Sequence, residues 1–441
     1  MNNEKIEKSE IGQNTDSSTT PSWLIIDDKD KKKINEVEFC KEFLKNHGLK
    51  CIDGQFRDIH GDVGENVVRH EISKILMEYI FEGVNSKVKN ITETLKLCCY
   101  AETPKVIEDE IHLLNGVLKT NGNFSPTLQF CINRISVEYI PKAPPPKKFI
   151  EYLRDLLEPN DIATLQEFLG YLLIPSTKGQ TMLSIIGNGG EGKSVLGTII
   201  KYIFKNSMAE GSFRRIETDR FFRANLKDKL VFVDDDLQLE ALPSTGYIKS
   251  LITVQIPTDI EFKCKQSFSH TLYARFLCFG NGTIKSLHDK SYGFNRRMIV
   301  LSTKPISENR IENPNIAEEI IAEKSGILNW MFEGLQRLLA NNYQFSLSEK
   351  AKLNAAEMSR ENCNIIEFLT TVSFSDTSEV SSVILYGAYS RWCNENALIA
   401  IGRVPFISWL KSNQQRYSIT YSTHIKTTNN GNVRGFKGLS A

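Results

Sequence analysis

Eight consecutive residues, GNGGEGKS at 187–194, have the types and spacing that hold phosphate. They are Gly187, Asn188, Gly189, Gly190, Glu191, Gly192, Lys193 and Ser194. The glycines let backbone N–H groups face an anion with no Cβ in the way. Lys193 can reach the β- and γ-phosphates of a nucleoside triphosphate, and the Ser194 hydroxyl can hold Mg²⁺. Hydrolysis needs carboxylates as well, and KLVFVDDD at 229–236 is an apolar run ending in three of them. In the reading taken here, Asp234 ends the strand on the metal side. Asp235 also serves the metal and is the base that polarises the attacking water, with Asp236 beside them. Asn281, at the tip of FLCFGN, can sit by the γ-phosphate and orient water. Arg297, with Arg296 as its neighbour, can reach a neighbouring subunit's γ-phosphate and stabilise transition-state charge. Between these motifs, Lys263 and Lys265 alternate along IEFKCK and can contact nucleic-acid phosphates.

These groups need elements to position them. A strand must deliver the phosphate loop, and the helix after it must aim its N-terminal amides at the anion. MLSII at 182–186 reads as the strand and 195–204 as the helix. From 182 to about 304, apolar runs at 183–186, 230–233, 276–279 and 298–301 alternate with helical stretches, which predicts a mainly parallel α/β sheet. Upstream, residues 1–33 are polar and predict a disordered tail. Residues 34–146 predict a mainly helical N-terminal domain, with helices over 36–46 and 68–81 and short strands near 112–118 and 136–139. Pro144, Pro145 and Pro146 mark a domain boundary. The domain that holds the phosphate loop, with two lead-in helices at 149–157 and 163–173, spans 147–345 and ends in a helical stretch at 316–341. Residues 346–441 predict a linker, helices at 383–393 and 404–412, and strands at 416–421 and 433–439, the pattern of a winged helix.

Composition excludes several classes. The 441 residues are 41% hydrophobic, ample for packed cores, and the net charge of +1 gives no global polyanion signal. None of the nine cysteines forms a Cys-x-x-Cys pair, which predicts reduced thiols and no zinc site. There is no apolar leader or membrane-length apolar run, so a cytoplasmic location is expected. The tail is informative by counting: residues 397–441 contain no Asp or Glu but carry Arg403, Lys411, Arg416, Lys426, Arg434 and Lys437. The first five are the expected DNA contacts, with 404–412 as the helix that enters a groove and 422–432 as the wing. Trp392 and Trp409 read as core.

Taken in order, GNGGEGKS, LVFVDDD, IEFKCK, FLCFGN and GFNRRMIVLS resemble a superfamily III helicase. The nearest branch is the phage, plasmid and poxvirus primase–helicases. The likeness runs from about residue 107 to 339, and the tail is similar to the winged helix found after such motors. The resemblance implies an AAA+ P-loop α/β motor between a helical N-terminal domain and a C-terminal winged-helix domain. It implies ATP and Mg²⁺ as cofactors and a homo-hexamer with one DNA strand in the ring. It also implies duplex origin DNA on the tail, contacts to host replication proteins, and no membrane. Under it Lys193 and Ser194 match the phosphate loop, Asp234 and Asp235 the acids, Asn281 the sensor, Arg297 the arginine finger, and Lys263 a DNA-gripping hairpin. Polymerase-type primase acids are missing ahead of residue 146, so no priming activity is expected. The resulting expectation is an ATP-dependent helicase and replication initiator of a phage or mobile element, similar to those of staphylococcal-type pathogenicity islands. The alternatives are an ATP-dependent DNA-binding switch that does not unwind, and a nucleotide or small-molecule kinase.

Overall fold

The computed structural model describes residues 20–237, 242, 244–253, 257–263, 266–282, 296–306, 313–362, 364–396, 398, 400–426 and 432–440, without the side chains of 359–362, 426 and 432. Two compact units divide between Pro104 and Lys105.

In the first unit, β1 (Leu24–Ile26) and β2 (Lys32–Ile34) form an antiparallel hairpin. Helix α1 (Glu36–His47) follows, capped by Asn35, whose side chain accepts from the Glu38 N–H. β3 (Lys50–Ile52), β4 (Gln55–Asp58) and β5 (Gly61–Val63) make a small antiparallel sheet, and α2 (Glu65–Met77) and α3 (Val84–Cys98) complete the unit. Phe39, Ile72, Leu76, Ile91 and Leu95 fill its core. The polar tail expected through residue 33 is shorter than that at its described end. Trp23 is buried edge-on against Phe39 and Tyr79, and burial of one large ring offsets the ordering of polar neighbours.

The domain boundary expected at the prolines also moves, to residue 104. The prolines pack rather than link: a Cβ on Gly326 would come within 2.4 Å of the Pro144 carbonyl oxygen. The second unit begins with the antiparallel strands β6 (Glu110–Leu113), β7 (Gly116–Lys119) and β8 (Phe124–Ser125). The strand expected at 136–139 does not form. Single backbone bonds hold that stretch instead, from the Ser136 N–H to the Ile203 carbonyl at 2.8 Å and from the Leu114 N–H to the Val137 carbonyl at 3.1 Å. Helices α4 (Lys147–Leu156) and α5 (Pro159–Tyr171) lead into the centre.

The central run is β9 (Met182–Ile186), α6 (Lys193–Phe204), β10 (Met208–Glu210), α7 (Phe213–Thr218), β11 (Val231–Leu237), α8 (Gly246–Thr253), β12 (Thr258–Ile260), β13 (Phe268–His270), β14 (Arg275–Gly280) and β15 (Met298–Ser302). Five strands join in the order β10-β11-β14-β9-β15, every neighbouring pair parallel. Both faces are covered, which is why the strands are nearly continuous apolar runs. Leu183, Val231, Val233, Leu277 and Leu301 face one core, while Met182, Phe232, Phe276, Cys278 and Val300 face the other. This is the two-residue period of a strand read through its packing.

The helix expected over 316–341 is two, α9 (Ile316–Ile321) and α10 (Lys324–Ala340). α10 lies directly on α5: a Cβ on Gly170 would reach within 2.4 Å of the Met331 carbonyl oxygen, and one on Gly334 within 2.3 Å of the Gln166 oxygen. Beside this contact the buried Glu167 carboxylate accepts from Arg337 at 2.6 Å and from the Ser346 N–H at 2.7 Å. The expected linker after 346 contains α11 (Glu349–Asn362), which covers the β15 edge. There the Asn354 amide donates to the Val300 carbonyl and the Ser302 hydroxyl, each at 3.2 Å.

The chain ends with α12 (Asn364–Leu369), β16 (Ser373–Ser381), α13 (Ser382–Glu395), α14 (Arg403–Ser412), α15 (Gln414–Tyr417), β17 (Thr420–Lys426) and β18 (Asn432–Ser440). The strands pair antiparallel as β16-β18-β17 around a separate core of Phe368, Leu385, Tyr389, Phe406, Leu410 and Phe436. β16 is an extra strand that polar SFSDTSEVS did not announce. The strand expected at 416 starts only at Thr420, because α15 intervenes. Among the described residues, no helix is long and apolar enough to cross a membrane.

Candidate functional site

The phosphate-type loop joins the carboxyl end of β9 to α6. Gly189, Gly190 and Gly192 take φ of 106°, 82° and 104°, values side chains rarely tolerate. A Cβ on Gly187 would lie 2.2 Å from the Thr303 hydroxyl oxygen. Two anchors fix the loop: the Gly187 N–H donates to the Gly280 carbonyl at 3.1 Å, and the Tyr152 hydroxyl donates to the Gly192 carbonyl at 2.9 Å. Tyr152 was invisible in the sequence except as one apolar position of an amphipathic helix.

Glu191 folds back into its own loop. Its carboxylate accepts from the Asn188 N–H, from the Gly189 N–H at 3.0 Å, and from Lys193 Nζ at 2.9 Å. The Glu191 and Lys193 side chains are only 5% and 9% exposed. Burial alone would raise the Glu191 carboxyl, but Lys193 and the backbone amides outweigh it and hold the group below its ordinary value.

Lys193, Ser194, Asp235, Asp236 and Asn281 border one cavity of about 280 Å³. Asp234 is not among them. It is buried, and its carboxylate accepts from the Phe213 N–H at 2.8 Å, capping the start of α7. The structure thus sets Asp234, expected on the metal side, away from this cavity and leaves Asp235 and Asp236 on its wall. A register shift between Asp234 and Leu237 in the pairing of β11 with β14 explains this, since an irregularity re-aims the residues at a strand end. Burial raises the Asp234 carboxyl despite its backbone bonds. Burial raises Asp235 too, reinforced by the negative charges of Glu210 and Asp236. A second cavity of about 430 Å³ adjoins, with Asp234, Asp235, Asp236, Glu210 and Lys201 on its wall. Lys201 pairs with Glu210 at 2.8 Å.

The arginines are elsewhere. The Arg297 carbonyl accepts from the Met182 N–H at 2.9 Å, which puts Arg296 and Arg297 at the amino ends of the strands. About 16 Å of strand separates that level from the loop. The hairpin β12–β13 is reached from the same end. Exposed Lys263 lies in its turn rather than on a strand, near the stacked Phe262 and Phe268 rings, 5.8 Å apart. Lys265 is outside the described residues. At the hairpin's base the buried Asp228 carboxylate meets His270 Nε2 at 3.1 Å and Lys227 Nζ at 2.6 Å. Burial pushes Asp228 up, but His270 and Lys227 prevail and hold it below its ordinary value.

In the C-terminal region Arg403, Lys411, Arg416 and Arg434 are exposed, and Lys411 Nζ sits 3.6 Å from the Tyr421 ring centroid. The Lys426 side chain is outside the described residues. Lys437 is paired with Glu379 of β16 at 2.8 Å, so this face is not free of acids. Trp409 is buried in the local core.

Residues 185–297 match the model of a family of unknown function, DUF5906. No curated protein matches the chain. Among solved structures, the C-terminal region of NrS-1 (305–718) is similar, with 12% identity, a TM-score of 0.51, and coverage of 92% of this chain and 100% of that one. A second structure of the same region, the A form, gives 13% identity and a TM-score of 0.50, covering 92% and 99%. At such identities the likeness is one of fold: a multidomain mixed α/β chain with a parallel sheet.

Proposed function

We propose that the chain is an ATP-hydrolysing motor that works on DNA, a helicase of AAA+ type acting in the replication of a phage or mobile element. One observation carries this reading: a glycine loop, Lys193, Ser194, two strand-end aspartates and Asn281 converge on a single cavity at the carboxyl edge of a parallel sheet. Counted along the chain, the sheet order from β15 to β10 is fifth, first, fourth, third, second, the order of AAA+ motors. The order helix, strand, two helices and a two-stranded wing over α12 to β18, with a short helical turn before the wing, supports a winged-helix reading of the tail.

The residues suit the groups proposed for them. Loop amides and Lys193 fit phosphate, and the hydroxyl and carboxylate oxygens of Ser194, Asp235 and Asp236 fit a hard cation. Bound Mg²⁺ would neutralise charge on the β- and γ-oxygens. Asp235 takes the proton of the attacking water, and Asn281 orients that water. Arg297 completes the site of a neighbouring copy, which makes the working form a ring, the hexamer of the resemblance. Single-stranded DNA passes the hairpin carrying Lys263 and Lys265, and duplex DNA meets Arg403, Lys411, Arg416, Lys426 and Arg434.

The test is unwinding of a labelled fork with ATP and Mg²⁺. Wild type separates the strands and Lys193→Ala does not. Equal unwinding by both, or none by wild type, overturns the proposal.

A further inference from the structure

The feature that the nucleotide reading does not absorb is the Glu191 carboxylate inside the loop. Asn188 N–H, Gly189 N–H and Lys193 Nζ are donors of the kind that hold a nucleotide phosphate in such loops. Here all three bind one buried side chain of the same loop. The fit is close: a Cβ on Gly187 would lie 2.8 Å from Glu191 Oε1. Glu191 stands between Gly190 and Gly192, both at positive φ, so the backbone on each side has the freedom to re-aim it.

We propose that Glu191 is a built-in competitor for nucleotide phosphate and thereby sets the affinity of the site. The inference rests on the loop being a phosphate site. The loop has two arrangements. In one, the carboxylate neutralises Lys193 and satisfies the amides; in the other, phosphate takes those donors and Glu191 turns outward. A charged phosphate and a charged carboxylate cannot share the same amides and ammonium, so each excludes the other. A carboxylate that holds the loop nine-tenths of the time weakens phosphate binding about tenfold. The arrangement also protects the motor, since a buried, unpaired Lys193 would be costly whenever nucleotide leaves.

The experiment is calorimetric titration of full-length wild type, Glu191→Gln and Glu191→Ala with inorganic pyrophosphate and with ADP. Lys193→Ala serves as the loop control, and thermal melts check folding. Both Glu191 variants bind pyrophosphate more tightly than wild type, Glu191→Ala by about tenfold and Glu191→Gln by less, because its amide oxygen still accepts from the loop. Lys193→Ala loses binding. Equal or weaker binding by both Glu191 variants, with wild type binding normally, overturns the competitor role and leaves the phosphate site standing. No binding by any of the proteins overturns both.

Discussion

The two ends of the central sheet are built for different jobs. At the carboxyl ends, loop, carboxylates and Asn281 converge on one cavity, and Glu191 takes donors of the loop itself. Arg296, Arg297 and the Asp228–His270 base of the hairpin lie at the amino ends, the opposite end of the strands from that cavity. A parallel sheet keeps its ends apart by the length of its strands, so the arginines sit about 16 Å of strand away from the level of the glycine loop. Under the proposed function, the groups at the carboxyl ends act within one copy, whereas the arginines at the amino ends would serve another.

That contrast can be broken by mixing. Arg297→Ala lowers ATP turnover by about 10³-fold, and Lys193→Ala abolishes it. Mixed in equal amounts, the two variants recover about a quarter of the wild-type rate if one copy's amino end serves another's carboxyl end. No recovery would place both groups in the same copy's work and sink the contrast. Within the carboxyl end, neighbouring aspartates should part company. Asp235→Asn lowers turnover about 100-fold with little change in melting temperature. Asp234→Ala leaves the buried Phe213 N–H without its acceptor and costs about 1–3 kcal/mol in denaturant unfolding. Matching effects from the two would erase the distinction.

At the amino end, His270→Phe tests the hairpin base by pH. Asp228 is held below its ordinary value of 3.8, so its paired, charged form stabilises the fold above that pH. The stabilisation is lost only as pH falls through the lower folded value. Chemical unfolding should therefore show wild type more stable than the variant at neutral pH, the two converging in stronger acid; a constant gap would refute the contribution of the charged Asp228 carboxylate. The smallest effect belongs to Lys263→Ala, which should reduce the salt slope of single-stranded DNA binding by about 0.7. An unchanged slope would remove the hairpin turn from the DNA path.

The centre of the fold was legible because its signals are local. The glycine loop, the apolar runs of β9, β11, β14 and β15, and the helices on either side carry their own period and punctuation. What escaped depended on distant partners. Polar SFSDTSEVS becomes β16 only because β18 pairs with it. Asp234 looks like its neighbours in a row of three, and only the Phe213 amide tells it apart. The prolines at 144–146 resemble a linker until Gly326 is seen pressed against them.

The contact of α5 with α10 has a consequence for how the chain comes to be folded at all. It joins positions 164 residues apart, from the Gln166 amide to the Trp330 carbonyl, and 174 apart, from Arg337 to the Ala163 carbonyl. During synthesis at about 5–20 residues per second, α5 waits roughly 8–33 s for its partner. The face that α10 covers stays open for that interval, and the cost of closing so long a loop is offset only when Gly170 and Gly334 reach the opposite helix. The nascent chain is thus most open to aggregation, and most in need of a chaperone, while the parallel sheet is being made.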